Sequence, residues 1–389
     1  MEDELTNEAV YGLSGEQFID YNGLAAARAA LLDKPSVARF LTPAVFMRVT
    51  GGLHPTVGLQ PFLRFCNSKV QMERLHLHLQ EYDVEGLGYL RETDIENLVA
   101  DMVPTFPGLR ELQHDFVTFY VYTAVRKFMF FLPCKKTGRV GIKDILGSEI
   151  LSEFLALRDA PQPESNWFGI ESSTNAYSKY IDMDTEGDGL LSPAELLKYP
   201  SGFITPYAAE RIFQECLTYE GLLDYKGYLD LVLALENKNS EASIRYFWKL
   251  LDISRMGKIG FKEARPFLES VLSTLKEAIP GNQTVVYQYR PQHLFSEIID
   301  MLGLVGAEEL RLSDLLHSPN GGTVARMLID AHAFFLYDTR ESQAQPKLST
   351  YFSSAVLKYC TLMTGQHSYL VPVSAPTVYR YSPSIYWAF

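Results

Sequence analysis

The stretch DTEGDGLLSPAE, residues 184–195, puts an oxygen-bearing group at each place where a small cation could be held. Asp184, Glu186 and Asp188 bring carboxylates at the first, third and fifth places. Leu190 offers its backbone carbonyl, Ser192 a hydroxyl, and Glu195 a carboxylate that can give both oxygens. Gly189 stands at the sixth place, where the chain needs a backbone conformation that glycine adopts cheaply. Carboxylates gathered in one small volume repel each other unless a cation sits between them. An all-oxygen set suits a hard ion, and this spacing is that of a calcium loop. Leu191, apolar at the eighth place, is set to form a short two-strand contact with the same place of a partner loop.

A loop of this kind works only if helices fix both its ends. NAYSKYIDM, which ends at Met183, predicts a helix leading in. Ser192 predicts the cap of the outgoing helix, Pro193 its first turn and Pro200 its end.

The same frame recurs in damaged form. YDVEGLGYLRETDIE keeps Asp83, Glu85, Gly88 and Leu90, but Leu87 removes a ligand and Asp94 is short for the last place. LPCKKTGRVGIKDIL keeps Gly138, Val140 and Asp144, with Pro133, Lys135 and Thr137 where acids belong. TYEGLLDYKGYLDL keeps Gly221 and Leu223 and ends on Gly227. LDISRMGKIGFKEA has Asp252, Ser254, Gly257, Ile259 and Glu263, yet Met256 presents sulfur where calcium wants oxygen, beside Arg255. Fainter echoes lie around Val57 and Leu310, without metal chemistry. The expected fold is therefore all-α: an elongated array of EF-hand-like helix–loop–helix units, mostly degenerate. The short spacings predict that Val57 pairs with Leu90 and Leu191 with Leu223. Expected divisions are 1–145, a degenerate N-terminal region; 146–338, the region with the intact loop; and 339–389, a linker (339–350) and an aromatic tail.

The 389 residues are 47% hydrophobic, enough for a large core, and carry a net charge of -12. That acidity argues against a nucleic-acid partner, whose phosphates need Lys and Arg. Cys66, Cys134, Cys216 and Cys360 show no paired spacing and read as reduced, mostly buried thiols. The acidic MEDELTNEAV start lacks the apolar core of a signal peptide, and no run is long enough to cross a membrane. His76 and His78 are too close in sequence to share a helix face, and His332 reads as a packed histidine. AVRKFMFFL and RYFWKLLDI read as core aromatics. No phosphate loop, GxSxG, HExxH or cysteine motif is present, so no enzyme is expected. The residues alone leave open a partner-binding subunit, a calcium sensor and, from the aromatic tail, an adaptor.

Longer strings are more specific than any single loop. SNWFGIESSTNAYSKYIDMDTEGDGLLSPAEL, FQECLTYEGLLDYKGYLDLVLALEN and RYFWKLLDISRMGKIGF follow one another in order. With LQEYDVEGLGYLRETDIENLV, FYVYTAVRKFMFFL and TVARMLIDAHAFFLYDTRE, they resemble the B-double-prime regulatory subunits of protein phosphatase 2A, the gamma type most of all, over roughly residues 20–342. The resemblance implies a non-catalytic protein that binds the phosphatase scaffold and catalytic subunits and directs substrate choice and location. It also implies a cytoplasmic setting at centrosomes, spindles or microtubule-organising structures, through a centrosomal or cytoskeletal recruiter. The family's calcium ligands map onto Asp184, Glu186, Asp188 and Glu195, with Leu190 and Ser192 completing the set. Its second hand maps onto Asp252 to Glu263, where Met256 departs from the pattern.

Overall fold

The computed structural model describes residues 1–11, 16–52, 54–135, 138–158, 166–199, 204–278 and 289–338. Pro200, Thr137, Cys360, the 339–350 linker and the aromatic tail lie outside them. The described chain is mostly helical, and its strands are two to four residues long. It forms two compact units, Met1–Ser173 and Thr174–Phe389. No described helix is long and apolar enough to cross a membrane.

Paired loops organise both units. In the first, Gln17–Asp20 pairs antiparallel with Thr56–Gly58, setting Ile19 opposite Val57. Tyr89–Arg91 pairs with Arg139–Gly141, setting Leu90 opposite Val140. In the second, Leu191 bridges Leu223, and Ile259 lies opposite Leu310. The expected Leu191–Leu223 contact forms. The expected Val57–Leu90 contact does not, and the reason is a single helix. Leu59–Glu81 runs unbroken for 23 residues, about 34 Å at 1.5 Å per residue. Val57 and Leu90 flank its opposite ends. The helix buries Leu59, Phe62, Leu63 and Cys66 near its start and Leu75 and Leu79 near its finish. Each end serves a different loop pair.

The partner of Val57 is an eighth loop, which the sequence reading passes over. Asp20 caps the helix Tyr21–Ala30, its carboxylate accepting the Gly23 N–H at 2.7 Å. Ile19 is fully buried with Leu5, Leu24, Phe46 and Phe62.

The first unit extends past the expected boundary at 145/146, to Ser173. Phe154 and Phe168 pack tilted against one another at 5.0 Å and meet Phe128 at 5.9 and 5.6 Å. The Trp167 indole donates to the Thr123 carbonyl at 3.0 Å, and the Tyr120 hydroxyl to that of Phe168 at 2.8 Å. Those bonds tie Trp167 and Phe168 onto the helix Val117–Phe131, where Tyr120 and Phe128 are core while Phe119, Tyr122, Phe130 and Phe131 are only half-buried. Buried rings of this size dominate the packing energy of a small core.

In the second unit, Tyr225–Glu236 is buried nearly all round, and Thr205, Asp224 and Ser240 cap its helices with side-chain oxygens. Phe247, Trp248, Leu250 and Leu251 are core. His332 is half-buried, and burial pushes its imidazole below the ordinary range. Cys66 is buried and Cys216 half-buried, but Cys134 is exposed, against expectation: its backbone lies in the bridge to Val140 at the loop surface.

The helix Gly321–Met327 starts against other backbone. A Cβ at Gly322 would stand 2.1 Å from the Lys238 carbonyl oxygen, where nothing can yield by a side-chain rotation. Gly322→Ala should therefore lower stability by roughly 1–3 kcal/mol, the usual cost of overpacking, seen as a reduced urea midpoint. Conversely, the Tyr228 hydroxyl is buried and has no hydrogen-bond partner among the described residues. Tyr228→Phe should raise the midpoint by about 1 kcal/mol equivalent.

Candidate metal centre

The 184–195 loop is entered by the helix Ile170–Met183 and left by the helix Pro193–Leu196. Ser192 and Glu195 form a reciprocal capping box at the exit. Gly187 and Gly189 take positive φ of 69° and 78°, so the turn lies where a side chain would be strained.

The two end carboxylates face inward. Asp184 is 8% exposed and Glu195 4%. Asp184 Oδ1 accepts the Gly187 N–H and Oδ2 that of Gly189, both at 2.8 Å. Glu195 Oε1 accepts from the Thr185 N–H at 2.8 Å, the Thr185 hydroxyl at 2.9 Å and the Glu186 N–H at 3.2 Å. Its Oε2 accepts from the Ser192 N–H at 2.9 Å and hydroxyl at 2.8 Å. Burial pushes the Glu195 carboxyl up, but donors from Ser192, Thr185 and Glu186 outweigh it and hold it at about 2. Asp188 Oδ1 accepts the Leu190 N–H at 2.9 Å. Glu186 and Asp188 are exposed. Among the described residues, no three His, Cys, Asp or Glu side chains are drawn together as a metal-holding group. The six expected groups thus share one loop, with Asp184 and Glu195 directed into it and Glu186 and Asp188 at its rim. No described Lys or Arg pairs with any of the four carboxylates; Lys198 donates instead to the Thr185 hydroxyl, at 3.0 Å. The loop is all-oxygen, anionic and uncompensated by described side chains, which fits a hard divalent cation.

The other loops share this backbone and differ in what fills it. At 252–263, Asp252 accepts the Met256 and Gly257 N–H groups at 3.1 and 2.8 Å, and Glu263 that of Gly260 at 3.0 Å. Met256 is exposed, and Arg255 reaches out to Glu215 at 3.1 Å rather than into the loop. At 83–94, Asp83 accepts the Leu87 and Gly88 N–H groups at 3.1 and 2.6 Å. Here a protein cation takes up the spare acid: Arg139, from the partner loop, donates two bonds to Glu85 at 2.6 and 3.0 Å. Arg91 stands 3.5 Å from the same carboxylate. Lys135 sits 3.7 Å over the Tyr89 ring, a cation–π contact that also keeps its charge beside this pair.

Sequence reasoning marked Leu87 and Lys135 as losses of metal chemistry but missed Arg139 as the replacement cation. Its signal was available: a basic residue one place before the apolar Val140, facing Arg91 across the strand pair. The bond from Arg139 holds the Glu85 carboxyl below the usual range. A group with a depressed folded value adds stability above its unfolded value and loses it as pH falls. Arg139→Ala should return the Glu85 titration, followed by carboxyl NMR, to the ordinary glutamate range and flatten the acid dependence of stability below about pH 4.5.

Comparison with known proteins follows the same architecture. A family described as EF-hand domain matches residues 71–160, the loops of Leu90 and Val140. The B″ gamma regulatory subunit of serine/threonine-protein phosphatase 2A from Xenopus tropicalis is 39% identical over 307 residues, covering 78% of this chain and 67% of that protein. Its Homo sapiens counterpart is 38% identical over 312 residues, with coverages of 78% and 67%. An Arabidopsis thaliana protein, TON2, named as a probable B″ regulatory subunit of the same phosphatase, is 28% identical over 325 residues, covering 80% and 66%. A solved structure described as a PP2A PR70 holoenzyme shares the fold at a TM-score of 0.56 and 21% identity, over 64% of this chain and 92% of that one.

Proposed function

The chain belongs to the gamma-type B″ family of regulatory subunits of protein phosphatase 2A, and from that premise we propose that it joins the phosphatase scaffold and catalytic subunits and directs the enzyme's substrates and location. The observation that carries this is 39% identity spread over 78% of the chain. The relatives are named as regulatory subunits, and the chain's role is non-catalytic.

We propose further that the 184–195 loop binds calcium. Asp184, Glu186, Asp188 and Glu195 would hold it with carboxylates, Leu190 with its carbonyl and Ser192 with its hydroxyl. Bound there, the ion would supply the positive charge that Arg139 supplies beside Glu85. Support comes from the oxygen-only set, the glycine turn and the lack of a described side-chain cation on these carboxylates. At 252–263, Met256 leaves the set one oxygen short. A further part of the proposal is a cytoplasmic location at centrosomal, spindle or microtubule-organising structures, reached through a centrosomal or cytoskeletal recruiter.

The decisive experiment is capture of purified scaffold–catalytic core by the purified chain, in calcium and in chelator. Capture in at least one condition is expected. Failure in both overturns the regulatory reading and favours a phosphatase-independent adaptor. For the metal, calorimetry should show a tight calcium transition that Asp184→Ala and Glu195→Gln remove. Calcium at a hundredfold its dissociation constant should add about 2.7 kcal/mol of stability to the wild type alone. Unchanged binding in both variants overturns the assignment.

A further inference from the structure

Tyr180 lies on the incoming helix, one turn before Asp184, outside the set of expected ligands. Its ring is fully buried, packed 5.0 Å from the Tyr225 ring and 5.2 Å from that of Tyr228. A phenylalanine would fill that space, so packing does not require the hydroxyl. The hydroxyl nevertheless has a strong bond: it donates to the Gly189 carbonyl, inside the loop, at 2.6 Å. The Leu223 carbonyl of the partner loop lies 3.5 Å from the same oxygen.

Those two carbonyls control the backbone around Leu190. The Gly189–Leu190 peptide is pinned at both ends, its carbonyl by Tyr180 and its N–H by Asp188 at 2.9 Å. The next peptide carries the Leu190 carbonyl, and its N–H, that of Leu191, donates to Leu223 at 2.8 Å. A trans peptide is planar, with its N–H and C=O opposed. The bond to Leu223 therefore turns the Leu190 oxygen away from the partner loop and toward its own. Two consecutive peptides are fixed from behind, and the Tyr180 hydroxyl touches the carbonyl of the first and the Leu223 carbonyl that accepts the N–H of the second.

We infer that Tyr180 is a positioning residue for the metal loop: through Gly189 it holds the Leu190 carbonyl in the orientation of a ligand. This rests on the reading that the 184–195 loop binds calcium. The helix before the loop and the metal-poor partner loop then act on the same carbonyl, which gives the degenerate loop a direct part in the site.

The test is Tyr180→Phe, which keeps the ring and deletes the bond. It is made in the full chain in an Asp252→Asn background, so that the 252–263 loop does not compete. Calcium affinity is measured by calorimetry. Terbium, used as a calcium substitute, reports bound water through its luminescence lifetimes in H2O and D2O. Loss of one hydrogen bond predicts roughly three- to tenfold weaker calcium binding. A carbonyl released from the ion predicts one more coordinated water on terbium than in the Tyr180 protein. Thermal unfolding in chelator should shift little, since the ring packing survives. Unchanged affinity and water count overturn the inference. So does weaker binding with an unchanged water count, because that is loss of packing alone. The loop reading fails separately: the Tyr180 protein would bind neither ion, or Asp184→Ala would leave binding intact, and the positioning role would fall with it.

Discussion

The antiparallel bridge between two apolar residues is the contact on which each loop pair depends. At Leu191 and Leu223 it consists of two N–H···O bonds of 2.8 Å between fully buried residues. It costs no side-chain chemistry. It needs only that each loop deliver one extended, apolar residue at the same place. Each bridge joins two loops, and each loop joins two helices, so satisfying a few backbone groups fixes the packing of helices on both sides. Buried backbone polar groups must find partners somewhere. Here they find them in the partner loop, and the hydrophobic faces follow.

That constraint explains why so many loops have kept their form after losing acids. The bridge and the left-handed glycine turn are indifferent to the ligand positions around them. Gly88, Gly189 and Gly257 have φ of 77°, 78° and 70°, although only one of these loops retains the full oxygen set. In each, the first aspartate binds the N–H of the sixth residue, at 2.6 to 2.8 Å. The loop carries its own internal brace, and the outer positions are free to diverge. At 83–94 they have diverged into an ion pair with Arg139. At 252–263 they have turned outward, with Arg255 drawn to Glu215, where Arg211 also anchors at 2.8 Å.

The sequence showed most clearly what depends on local chemistry. The 184–195 loop, its capping Ser192 and its incoming helix could all be read because each signal is carried by residues within one turn of its effect. Pairing was harder. Leu191 with Leu223 followed from spacing, but Val57 with Leu90 did not survive, because spacing along the chain ignores a rigid helix lying between. The Ile19 loop has only an isoleucine and a capping aspartate to announce it, with no ligand residues. The unit boundary was missed for a related reason. Residues 149–168 carry no loop signature, and only the meeting of Phe106, Phe128, Phe154 and Phe168 in space shows where they belong.

The Arg139–Glu85 pair also bears on physiology. A guanidinium is tethered to the chain and charged at every cellular pH. The loop pair it neutralises therefore has the same counter-ion in a resting cell as in a stimulated one. The 184–195 loop has no such tethered charge among the described residues, so any counter-ion inside it has to come from solution. One chain thus combines a pair whose electrostatics are hard-wired with a loop whose electrostatics follow the medium. A change in the ions around the protein would reach the charge balance of the second loop and leave that of the first unchanged.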